Sequence, residues 1–169
     1  MKVIVLLTFV VILTVAFTCS AQTRKPSSAT MPFVVKTNQQ IDEIENALAK
    51  QSGNKAEDIV PQAGIQTRVA VFHDEKRVDD LVELHDGSDD FYYVLDGTAT
   101  LMLGGTLDDP KEVSPGEWKA KTATGGTKVE IKKGDLIFVP RGTPHQRTVT
   151  GKGFSMILVK IFADRQPTK

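Results

Sequence analysis

Gly134-Asp135-Leu136-Ile137-Phe138-Val139-Pro140-Arg141-Gly142-Thr143-Pro144-His145 reads as a turn, a short apolar strand, a proline–glycine corner and a histidine. Proline cannot donate to a ladder and glycine accepts the positive φ of a tight corner, so Pro140 and Gly142 end one strand before another begins. Period-two alternation extends from this stretch in both directions. Gln66–Asp74 alternates around Val69 and Val71, and Asp79–His85 through Leu81, Val82 and Leu84. Phe91–Leu95 and Thr98–Leu103 flank Asp96-Gly97, which predicts a tight hairpin. Lys128–Ile131, Leu136–Val139, Gln146–Val149 and Phe154–Phe162 continue the series. Short strands parted by Gly, Pro and Asp predict an all-β domain, either a sandwich or a closed barrel.

Two segments break the rhythm. Thr37-Asn38-Gln39-Gln40 has the form of a capping box, and Ile41, Ile44 and Leu48 then recur at helical spacing until Gly53. One short amphipathic helix is expected near 38–51, its stripe packed on the β domain or offered to a partner. Gly104–Gly126 is rich in Gly, Pro and Asp and holds the sole tryptophan, Trp118. It reads as a lid, a specificity loop or an extra hairpin, with Trp118 covering core in the last case.

The first residues are of another kind. Met1-Lys2, the apolar run Val3–Phe17 and the small-residue exit Cys19-Ser20-Ala21 have the form of a signal peptide cleaved after Ala21. The run is short for a membrane span and passes into Gln22-Thr23-Arg24-Lys25-Pro26. Cys19, the only cysteine, raises lipidation as an alternative, but the usual leucine three positions earlier is missing. Residues 22–36 read as a flexible lead-in and 37–169 as one β domain, with strands from about 66 to 162. A secreted or periplasmic location follows, with no membrane contact after cleavage.

The mature domain has no thiol, which excludes disulfides, a catalytic cysteine and cysteine-ligated metal. The 21 basic and 21 acidic residues become 20 and 21 once Lys2 is lost, with no polybasic stripe for a phosphate backbone. Nucleic acid is therefore excluded as an expected partner.

Chemistry concentrates in three places. His85 ends an alternating strand with Glu83 two residues before it on the same face, Asp90 opens the strand that runs to Gly97, and His145 closes the stretch quoted above. Antiparallel strands can bring these segments together, and two imidazoles with a carboxylate form a facial set suited to a divalent ion. Tyr92 shares the face of Asp90, and Arg147 that of His145. Arg147 could clamp a substrate carboxylate or phosphate, or close a salt bridge at the barrel mouth. Tyr92 could line the pocket or fill core. His73, before Asp74-Glu75-Lys76-Arg77, reads as a turn or surface residue, and Phe138 and Phe154 as barrel packing.

In both regions the chain resembles the cupin superfamily, across most of its mature length. That family's first motif runs roughly H-x-H, three or four residues, E, six residues, G, which Glu83-x-His85, Asp90 and Gly97 fit in spacing. Its second runs G, five residues, P-x-G, two residues, H, three residues, N, which Gly134, Pro140, Gly142 and His145 match. Glu83 replaces the first histidine, Asp90 the glutamate, and Val149 stands at the asparagine position.

The resemblance implies a single cupin (jelly-roll) β-barrel. It also implies metal-ligand roles for His85 and His145, for Asp90 as an acid exchange, and for Glu83 as fourth ligand, general base or surface acid. The ion would be Fe, Mn, Zn or Ni. The functions it implies are a metal-dependent enzyme of oxygenase, isomerase or lyase type on a small molecule, or a non-catalytic sugar- or small-ligand-binding sensor. Either could be a homodimer.

Overall fold

A computed structural model describes residues 25–164, 166 and 167. The expected signal peptide, with Cys19, lies outside the described residues. The chain divides into two units, Met1–Pro32 and Phe33–Lys169. In the first, the described residues 25–32 contain no helix or strand.

The second unit carries α1 (Asn38–Ala49) and twelve strands: β1 (Lys55–Val60), β2 (Thr67–Asp74), β3 (Val82–His85), β4 (Ser88–Leu103), β5 (Thr106–Asp108), β6 (Lys111–Ser114), β7 (Glu117–Ala120), β8 (Thr122–Thr124), β9 (Thr127–Lys132), β10 (Leu136–Val139), β11 (His145–Thr148) and β12 (Phe154–Phe162). The all-β expectation with one short helix holds. Strands begin earlier than expected, because Lys55–Val60 pairs antiparallel with β2 as an edge strand despite its polar sequence. Asp79 takes φ 57°, so β3 starts only at Val82.

The strands form two facing half-sheets, β1-β2-β12-β4-β10 and β9-β4-β11-β3-β7-β6. β4 belongs to both. Asp96-Gly97 is therefore a bulge inside one 16-residue strand, and the expected hairpin does not form. Opposite β12, the register passes from Met156↔Val94 to Ser155↔Asp96, which leaves Leu95 as the extra residue. The buried positions are accordingly even-numbered before the bulge (Ser88, Asp90, Tyr92, Val94) and odd-numbered after it (Ala99, Leu101). Gly97 has φ 78°, and a Cβ there would run into the Gly153 carbonyl. The same Asp-Gly chemistry that makes hairpins here turns a strand from one half-sheet into the next.

Tyr92, Val94, Leu101, Ile131, Phe154, Met156 and Leu158 meet between the half-sheets in one apolar cluster. Leu101 is fully buried, and truncating such a leucine costs roughly 2–5 kcal/mol. On the outer face α1 lays Ile44 and Leu48 on Val71, so its stripe packs on the sheet. Thr37 Oγ1 accepts from Gln40 N (3.3 Å) and Gln40 Oε1 from Thr37 N (3.0 Å), the expected capping box.

Two packing expectations fail. Phe138 is half exposed on the outer face against Phe91, because Ile137 and Val139 already take the inward positions of β10. His73 lies within β2 between β1 and β12, is 8% exposed, and places Nδ1 2.9 Å from Ser155 Oγ. It is a strand residue, because β2 stays paired through Asp74 with Phe154. Gly104–Gly126 proves to be hairpin structure: β6 pairs β7, β5 pairs β8, and β7 joins the main sheet beside β3.

Candidate metal centre

Toward one end of the fold the inward rows change character. On β12, Phe154, Met156 and Leu158 give way to Lys160; on β4, Val94 and Tyr92 give way to Asp90. From the facing half-sheet, β3 contributes Glu83 and His85, and β11 contributes His145 and Arg147. These residues line a cavity of about 640 Å³. The structure thus brings together every site residue expected from the sequence.

Glu83, His85 and His145 each offer a ligand atom, all within 4.8 Å of one another. Asp90 faces them, its Oδ2 3.7 Å from His85 Nε2 and 4.0 Å from His145 Nε2. The two motifs are tied together by backbone. Gly142 N donates to the His85 carbonyl (2.8 Å), while Pro140 O accepts from Thr143 N (3.1 Å) across a turn in which Gly142 takes φ 76°. Asp89 fastens the same corner, accepting from the backbone N, Nε and Nη2 of Arg141.

The imidazoles are oriented from behind. His145 Nδ1 meets the Thr143 carbonyl at 3.0 Å and His85 Nδ1 meets Glu117 Oε2 at 2.5 Å. Both partners are pure acceptors, so each Nδ1 carries the proton and each Nε2 lone pair is left for the cavity, the arrangement typical of metal-ligating histidine. Burial pulls His145 below its ordinary value, which favours the neutral, ligating form.

Lysines hold the far sides of both acids. Lys119 Nζ donates to Glu83 Oε1 at 2.7 Å, and Lys160 Nζ stands 3.0 Å from Asp90 Oδ1 without the alignment of a hydrogen bond. Burial raises Glu83, but the Lys119 hydrogen bond and charge act against it, and the carboxyl lies below its ordinary value. Tyr92 donates to Asp90 Oδ2 (3.2 Å), and burial followed by the Asp90 charge pushes its hydroxyl well up. Two imidazole Nε2 atoms and the carboxylates of Glu83 and Asp90, with Asp90 Oδ2 turned toward both rings, are a donor set that fits a divalent ion.

Glu117, Lys119 and Lys160 are site residues that the sequence reading misses. Glu117 and Lys119 alternate on β7 opposite His85 and Glu83, and Lys160 sits opposite Asp90. Their only signal in the sequence is alternation, which needs the strand pairing before it can be read.

No protein-family model matches the chain, and no curated protein matches it. Among solved structures it is similar to an uncharacterized conserved protein with a double-stranded β-helix domain from Klebsiella pneumoniae. That likeness has a TM-score of 0.50 at 16% identity and covers 75% of this chain and 90% of that one. The chain has the cupin fold. More distant likenesses are the cupin domain of Schizosaccharomyces pombe Cnp3 (TM-score 0.48, 13% identity, 66% of each chain) and a recombinant oxalate oxidase in complex with glycolate (0.47, 13%, 70% and 56%). On this frame Glu83, His85 and His145 bring ligand atoms within 4.8 Å of one another, with Asp90 Oδ2 facing both imidazoles.

Proposed function

We propose that this protein is an exported cupin enzyme that holds a divalent transition-metal ion between Glu83, His85, Asp90 and His145 and acts on a small molecule in the adjoining cavity. The reading is carried by the convergence of two histidines, each held through Nδ1, with two carboxylates at the floor of that cavity. A bound ion would supply Lewis acidity toward a substrate oxygen. His85 and His145 would ligate through Nε2. Asp90 would offer Oδ2, with Tyr92 and Lys160 fixing its plane. Glu83 keeps Oε1 on Lys119, and its second oxygen is placed either to ligate or to take a proton from substrate.

One observation favours a second reading. Lys119 and Lys160 already neutralise Glu83 and Asp90, as in a non-catalytic binding module that works without an ion. Metal analysis of mature protein purified without tag or chelator separates the two. The metal reading expects about one ion per chain, thermal stabilisation by Fe(II), Mn(II) or Zn(II), and loss of the ion in His145→Ala. Absence of both metal and stabilisation would remove the enzyme reading. Glu83→Gln refines the role: activity lost with metal kept identifies a proton-transfer group, and metal lost identifies a ligand.

A further inference from the structure

Arg147 stands two residues from His145 on β11, so both side chains face the cavity about 7 Å apart along the strand. Its side chain is only 9% exposed. One edge of the guanidinium is committed: Nε donates to Asp74 Oδ2 at 2.7 Å, and Asp74 is itself 1% exposed. Its Cζ lies 5.9 Å from the centroid of the Tyr92 ring and 5.8 Å from that of the Phe154 ring, within cation–π range of both. No hydrogen bond among the described residues uses Nη1 or Nη2, and neither atom is sealed from the cavity. The lysines of the cavity wall are engaged at their tips, Lys119 with Glu83 and Lys160 with Asp90; Arg77 is held by both Asp80 and Asp74, and Arg68, bound through Nε to Asp58, is more exposed than Arg147, at 26%.

We propose that the Nη1–Nη2 edge of Arg147 is an anchor for the carboxylate of a small organic acid, whose second oxygen function then faces Glu83, His85, Asp90 and His145. This names the substrate class of the centre proposed above and rests on that reading. A guanidinium fixed through Nε to a buried carboxylate and flanked by two rings presents two parallel donors with little further ordering cost, which matches the two oxygens of a carboxylate. A phosphate would bring three oxygens and a second charge to a buried guanidinium that offers a single pair of donors. Tyr92 joins the two halves of the site, since its ring supports Arg147 while its hydroxyl holds Asp90. The separation along β11 calls for a chain of a few carbons between the carboxylate and the oxygen at the metal centre.

The test is calorimetric. Protein of measured Mn(II) content, and the same protein stripped of metal, are titrated with 3-hydroxypropanoate, 4-hydroxybutanoate, their amides, and inorganic phosphate. Each acid is expected to bind about tenfold or more tightly than its amide. Arg147→Lys, which keeps a charge on Asp74 but loses the paired donors, is expected to erase that preference while Mn(II) content stays unchanged. Should Arg147→Lys fail to fold, the double variant Asp74→Asn/Arg147→Gln removes both partners without leaving a buried charge, and the same loss is expected. Equal binding of acid and amide, no binding of any acid, a preference that survives both variants, or tighter binding of phosphate would each overturn the proposal. If no Mn(II) is retained, the metal reading fails on its own, and the acid-over-amide preference of the metal-free protein still decides the role of Arg147.

Discussion

His85 and Glu117 face each other across the β3–β7 ladder, and Glu117 Oε2 lies 2.5 Å from His85 Nδ1. Glu117 comes from hairpin structure that a minimal barrel would not need, so this insertion helps build the site. A carboxylate behind a ligating imidazole fixes the ring and raises its basicity. Glu117→Gln should therefore weaken metal affinity by roughly 10- to 100-fold while the fold persists. Competition with a chelator of known affinity measures this. An unchanged affinity would show that Glu117 is only a surface partner of His85.

The fold and the grouping of Glu83, His85, Asp90 and His145 were legible because both are written in local spacing. Gly134, Pro140, Gly142 and His145 mark a turn, a strand end, a corner and an inward-facing imidazole within twelve residues, and the structure places each there. Asp96-Gly97 misled because positive φ at Gly97 serves a bulge as well as a hairpin. The choice between them depends on whether the next strand returns beside the first or continues, which no local pattern states. His73 misled, and Lys160 was missed, for a related reason. Their burial comes from neighbours more than 80 and about 70 residues away, respectively, Ser155 and Ser88.

Gly97→Ala tests the bulge. It places a side chain in the left-handed region and against the Gly153 carbonyl, with an expected cost of about 2 kcal/mol or more in urea unfolding. Gly125→Ala is the matched comparison, because φ there is 84° but no atom lies within 4 Å of the added methyl. It should cost about 1 kcal/mol. Equal costs would mean that the close approach of β4 to Gly153 is not a constraint.

Acid stability should carry the signature of Asp89. Hydrogen bonds from Arg141 hold its carboxyl down to about 2, below the ordinary 3.8. A depressed carboxylate stabilises the fold above its unfolded value, and that contribution is lost as pH falls through the folded value. The stability difference between the native protein and Asp89→Asn should hence be constant at neutral pH and shrink between about pH 4 and pH 2. Urea midpoints across that range measure it. A difference that does not narrow would detach Asp89 from the stability of the Pro140–Gly142 corner.

Lys160 offers the sharpest separation of packing from metal binding. Its side chain is 12% exposed and that of Asp90 5%, and the two are cross-strand partners on β12 and β4. Removing one member of such a pair leaves a buried charge, at a cost of roughly 3–5 kcal/mol. Lys160→Met should therefore lower the thermal midpoint of metal-free protein. A divalent ion would restore the missing positive charge beside Asp90, so Mn(II) should raise the midpoint of Lys160→Met by more than it raises that of the native chain. Differential scanning calorimetry with and without Mn(II) reads both effects. Equal shifts in the two proteins would place the ion away from Asp90 and leave Glu83, His85 and His145 as its ligands.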